Sequence, residues 1–148
     1  MMNEFRIELD IKCSAEDVFA ALINFERVPD WNSSVIEVKC SDAPVHVGSR
    51  VIYVGKFLGR KFTSEAQVTE FVPGTKYSST TISGPFQLDI SNTLTSTGAV
   101  THVSSDFRGE SRGFFKLAEP VMVRLTKKLF ETSMDNLRAL LEADVLQS

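Results

Sequence analysis

Cysteine, tryptophan, tyrosine and histidine are all scarce in this chain: two, one, two and two among 148 residues. Cys13 and Cys40 stand outside any CxxC spacing and have no histidine beside them in sequence. They are expected to be free thiols in a reducing compartment, and no disulfide framework is encoded. His46 lies near a predicted turn and His102 in a predicted strand, far apart in sequence, and neither has an Asp or Glu at ligand spacing on a helix, so no metal is expected. No G-x-S-x-G or Cys–His nucleophile arrangement is present, and Gly55 to Gly59 lacks the Lys-Ser/Thr ending of a phosphate loop. Excess positive charge is missing too. Sixteen Lys and Arg face 19 Asp and Glu, a net charge of −3, and the longest basic cluster is Lys127-Lys128. That balance excludes a nucleic-acid-binding surface. No run reaches about 18 apolar residues, so no membrane span is expected. The N-terminal segment alternates charge and apolarity and cannot serve as a signal-peptide core, which points to the cytoplasm.

What remains is the composition of an ordinary globular protein, 43% hydrophobic and 24% charged. The length predicts one domain over residues 1–148, large enough to bury about 70% of its unfolded surface. Eleven Phe against so few Trp and Tyr supply apolar volume with few polar ring ends.

Periodicity sets the element order. Phe5, Ile7, Leu9 and Ile11 alternate with charged residues and predict a strand with one wet face. Ser14 and Asp17 form a capping box that opens a helix with Val18, Phe19, Leu22 and Ile23 as its apolar stripe. A second short helix is predicted from Phe25 to Trp31. Six strands separated by Gly/Pro/Ser turns follow, over 35–40, 50–57, 61–72, 77–82, 86–95 and 100–108, with no crossover helix between them. From Val121 the period becomes helical, with Met122, Thr126, Leu129, Phe130, Ser133, Leu137 and Leu140 on one side. An α+β fold is expected: a curved seven-stranded antiparallel sheet around a long C-terminal helix. Such a sheet twists and curls. Small inward residues (Gly55, Ser64, Ala66, Ser105, Ser133) then leave either an internal hydrophobic cavity or a fully packed core.

The same segments carry a resemblance. S-A-E-D-V-F-A-A-L at 14–22, F-E-R-V-P-D-W-N at 25–32, V-T-E-F-V-P-G-T-K at 68–76 and R-G-F-F-K-L-A-E-P at 112–120 resemble the SRPBCC superfamily, which includes START and birch-pollen-allergen-like proteins. The nearer resemblance is to its bacterial polyketide cyclase/dehydrase-like group. It covers nearly the whole chain and contains no catalytic signature. It implies a helix-grip fold around a hydrophobic cavity; relatives bind lipids, sterols, quinones or polyketides, and only some are enzymes. It also implies that Trp31 lies near the cavity mouth.

The candidate ligand-binding set follows from inward phase. Met122, Phe130 and Leu137 on the helix are expected to face Phe62, Phe86, Leu88, Ile90 and Phe107 on the sheet. Ser64, Asn92, Thr101, Ser105, Thr126 and Ser133 supply inward polar groups, which orient a ligand by hydrogen bonds but have no pKa near neutrality. Glu37, Glu65 and Asp89 fall on the outward phase, as do Asp106 and Arg108 unless a bulge flips their strand. No catalytic residue and no cofactor is assigned. The expected partner is a small apolar molecule bound by a monomer or homodimer acting as carrier or sensor; a cyclase using the same cavity and a protein-interaction module are the alternatives. Ser133, small and polar in the middle of the stripe, is expected to face the void.

Overall fold

The computed structural model describes residues 3–57, 59–111 and 119–147, without the side chains of 111, 119, 122 and 144–147. The chain runs β1 (Asn3–Ile11), α1 (Ala15–Ile23), a 3-10 helix (Phe25–Asp30), then β2 (Val35–Cys40), β3 (Arg50–Phe57), β4 (Arg60–Val72), β5 (Lys76–Ser83), β6 (Phe86–Thr97), β7 (Val100–Ser111) and α2 (Glu119–Gln147). The seven strands form one antiparallel sheet in the order β1-β7-β6-β5-β4-β3-β2. Strands β2 to β7 are therefore a meander, and β1 closes on the far side of β7. α1 and the 3-10 helix carry the chain from one sheet edge to the other, which is why two helices stand between β1 and β2. This is the expected α+β helix-grip fold.

Local chemistry agrees with the element boundaries. The Asp17 amide donates to Ser14 Oγ at 3.1 Å, so the cap opens α1 as the capping pattern requires. Alternation holds along β1 and β7: Ile7, Ile11, Val103, Ser105 and Phe107 are buried. Their neighbours pair across the wet face, Arg6 Nε with Asp106 Oδ1 at 2.6 Å and Arg108 Nε with Glu4 Oε1 at 3.5 Å. Asp106 and Arg108 thus keep the outward phase. Bulges interrupt pairing between β2 and β3 near Val35 and between β4 and β5 near Ala66 and Val68. Bulges of this kind bend a strand and increase its twist, which helps the sheet to curl.

α2 seats on β1 and β7. Phe5 stacks on Phe107 (ring centroids 4.7 Å), and Phe107 meets Phe130 of α2 at 4.4 Å. Farther along, Cys13 Sγ donates to the Leu141 carbonyl at 3.5 Å and the Lys12 amide to Glu142 Oε2 at 2.9 Å. The buried line on α2 is Ser133, Met134 and Leu137, with Phe130 and Leu141 packed against the core. Leu140, expected on that stripe, is 41% exposed. The helix is rotated by about one residue there, so Leu141 takes the inward place.

Gly109 marks the tightest point of the sheet. A Cβ there would lie 2.2 Å from the Gln87 carbonyl oxygen and 2.7 Å from Leu88 Cδ2. The first obstacle is backbone and cannot swing aside. Gly109→Ala is expected to cost about 1–3 kcal/mol in urea melts through forced shifts of β6 against β7; an unchanged midpoint would show that the strands separate freely.

Candidate functional site

With α2 seated over β1 and β7, the concave faces of β3 to β6 retain a cavity of about 220 Å3. That lies just below the range of about 300–1,000 Å3 usual for small-ligand sites. Aromatic rings take up part of the space. Phe86 meets Phe57 and Phe62 edge-to-face at 5.8 and 5.6 Å, so three rings fill one end of the space. That end, with Leu88 and Val123, is half-buried, whereas Leu22, Phe25, Tyr77, Asn92 and Met134 line the other end and are buried. The burial gradient distinguishes a deep end from an open one.

Most inward polar groups are engaged within the protein. Asn92 donates from Nδ2 to the Tyr77 carbonyl at 3.3 Å and accepts from Ser105 Oγ at 2.6 Å. Thr101 Oγ1 donates to the Cys13 carbonyl at 2.7 Å and Ser64 Oγ to the Ser83 carbonyl at 3.1 Å. Tyr53 and Tyr77 differ. Both line the cavity, and burial pushes the Tyr53 hydroxyl up to about 12. Burial, with Tyr53 beside it, raises Tyr77 further still. Both phenols are therefore protonated throughout the neutral range. Glu110 is the one carboxylate among the described lining residues, and no Lys, Arg or His lines the cavity among them.

The structure gathers ten of the sequence-derived candidates around this space: Trp31, Phe62, Ser64, Phe86, Leu88, Ile90, Asn92, Phe107, Thr126 and Phe130. Ser105, Ser133 and Leu137 do not line it. Ser105 reaches Asn92 beneath the wall, and Ser133 and Leu137 are buried in the core against the sheet, at 1% and 2% exposure. Met134, one residue on from Ser133, lines the cavity instead. The side chain of Met122 lies outside the described residues. Sequence reading missed Tyr53 and Tyr77, whose inward phase was legible from their strands, and Phe25 and Val28, which reach the cavity from the 3-10 helix. Trp31 is half-buried at the end of that helix, and its carbonyl accepts from Asn136 Nδ2 of α2 at 3.2 Å.

Outside the cavity the ion pairs among the described residues lie on the wet surface. Among the described residues no group of three His, Cys, Asp or Glu is placed to hold a metal, and Cys13 and Cys40 are not joined in a disulfide. His102 sits on the convex face with Nδ1 2.8 Å from Asp10 Oδ1 and Nε2 3.3 Å from Glu8 Oε1. Those carboxylates, Asp10 first, raise its pKa above the ordinary value. A folded pKa above the unfolded value stabilises the fold below about pH 6.5, and the gain is lost as pH rises through the folded pKa. His102→Gln is expected to lower stability slightly, by a few tenths of a kcal/mol, at about pH 6 and not at about pH 9. Urea melts at the two pH values read the difference.

Ser133 gives a second check on the boundary of the cavity. Since it is packed rather than facing the void, Ser133→Phe is expected to destabilise by about 1–3 kcal/mol. The sequence alone pointed to the opposite sign. A stabilised variant in denaturant melts would put empty space at Ser133 after all.

Comparison with known proteins agrees with this architecture. Among solved structures, the Zhui aromatase/cyclase from Streptomyces sp. R1128 superposes with a TM-score of 0.84 at 11% identity, covering 98% of this chain and 96% of that one. A START superfamily protein from Mycobacterium smegmatis gives 0.71 at 18% identity, covering 97% of each chain. The major latex-like protein 151 from Panax ginseng gives 0.67 at 14%, covering 93% and 96%. At these identities the likeness is one of fold. No curated protein sequence matches at a significant level. The family model described as polyketide cyclase / dehydrase and lipid transport matches residues 2–142. A match from the start of β1 through most of α2, on a sheet and helix that enclose an apolar cavity, makes this chain a member of that family.

Proposed function

We propose that the protein binds a small, largely apolar molecule in the cavity, as a carrier or sensor. The observation that carries this reading is the lining itself. It is mostly Phe, Leu, Ile, Val and Met side chains, with hydroxyls, the amides of Asn3, Asn32 and Asn92 and the single carboxylate of Glu110, and the described lining residues include no acid–base pair. General acid–base chemistry needs groups whose pKa lies near the working pH, and the two phenols are held far above it. A cyclase reading therefore has less support than a carrier reading. A docking module has less again: the exposed apolar side chains Ile36, Val47, Val72 and Ile82 are single residues on different strands and loops.

Binding driven by apolar burial, at about 25 cal/mol per Å2, does not weaken as salt screens charge. The neutral probe N-phenyl-1-naphthylamine is expected to bind with the same affinity at low and high ionic strength. Trp31 is the single tryptophan and lines the cavity, so its quenching reports occupancy. A steep loss of affinity in salt would sink the carrier reading, because apolar burial would then not be what drives binding. Native mass spectrometry of protein purified from its own host would give the mass of the bound molecule.

A further inference from the structure

The deep end of the cavity carries one polar atom that the protein leaves unused. The Tyr77 hydroxyl is buried, with the residue 6% exposed, and has no hydrogen-bond partner among the described residues. The Tyr53 hydroxyl lies near enough to couple to it electrostatically, without the geometry of a full hydrogen bond. Leaving a buried hydroxyl unpaired costs its full desolvation, and such groups in folded proteins are ordinarily satisfied. Tyr77 is also not idle elsewhere: it lines the cavity, and its ring packs against Phe25 and Phe71, at 6.1 and 6.4 Å, which holds the phenol in place.

Resting on the reading of this cavity as a ligand site, we propose that the Tyr77 hydroxyl is its polar anchor and selects an apolar ligand carrying a neutral carbonyl oxygen, such as a ketone or quinone. Three features favour a carbonyl over other polar groups. Both phenols keep their protons, so the unpaired Tyr77 hydroxyl has a hydrogen to donate. Asn92 Oδ1 already accepts from Ser105 and the Tyr77 carbonyl from Asn92, so beside Tyr77 a ligand hydroxyl gains no free amide or carbonyl acceptor from either. No cation lines the space among the described residues, and Glu110 repels an anion, which disfavours a carboxylate or phosphate.

A matched pair of probes tests this: fluorene, and 9-fluorenone, which differs by one carbonyl oxygen. In a cavity without a donor, fluorenone binds more weakly, since its carbonyl leaves water unpaired. In the unaltered protein fluorenone is expected to bind at least as tightly as fluorene by titration calorimetry. Tyr77→Phe is expected to weaken fluorenone by about tenfold and leave fluorene unchanged. The variant removes an unpaired hydroxyl without changing ring volume, so its urea midpoint is expected to hold or rise. A purely structural tyrosine would lower the midpoint and affect both probes alike, and that result overturns the assignment. Binding of both probes with a fluorenone-to-fluorene ratio unaltered by Tyr77→Phe overturns this inference alone. Failure of both probes to bind the unaltered protein overturns the cavity reading and the inference with it.

Discussion

Stacking of Phe5 on Phe107, and of Phe107 on Phe130, seats the C-terminal helix over β1 and β7, and the cavity depends on this off-centre placement. A helix about 10–12 Å across cannot also cover the concave faces of the other strands. β1 is essential to the arrangement. It pairs with β7 along its whole length, so the last strand of the meander is an interior strand and offers a closed surface to the helix. The crossing of α1 and the 3-10 helix from β1 to β2 then closes the far side, where Leu22, Phe25 and Val28 form part of the cavity wall.

Charge and burial are separated by the pleat. Arg6–Asp106, Arg50–Glu65 and Lys76–Glu70 pair on the convex face, where exposed ion pairs contribute little and salt screens them. The concave face holds apolar side chains and a few neutral polar groups. The Ser105–Asn92–Tyr77 hydrogen bonds tie β7 to β6 and β6 to β5 beneath the cavity, which makes the deep wall a fixed surface. Those bonds consume the amide that a sequence reading assigns to a ligand. They also leave the Tyr77 phenol without a hydrogen-bond partner among the described residues.

The phase of each strand was legible from residues alone. Arg6, Asp106 and Arg108 face water and Ile7, Ser105 and Phe107 face inward because side chains alternate with a period of two, and one wet face imposes a charge pattern. Ser14 and Asp17 similarly announced the start of α1, because a cap is a contact between residues three apart. Such signals are local, and the chain order of strands and helices follows from them. The family resemblance rests on the same segments, apart from residues 112–118, which lie outside the described residues.

Which inward residues touch empty space and which touch other atoms was not legible, because inward phase is common to both. Ser133, Leu137 and Ser105 point inward and are packed, whereas Phe62, Ile90 and Thr126 point inward and meet the cavity. The difference is set by where α2 lands on the sheet, a contact between residues about 20 to 125 positions apart in sequence whose side chains share no pattern. On the helix a rotation of about one residue decides between Leu140 and Leu141, and between Ser133 and Met134 as lining residue. A stripe with apolar or small residues at several adjacent angles leaves that rotation open until the sheet closes against it. Sequence thus determined the strands, their wet and dry faces and the apolar character of the interior. Tertiary packing decided the position, size and deep-end chemistry of the cavity, because a void is defined by the contacts its neighbours make with one another.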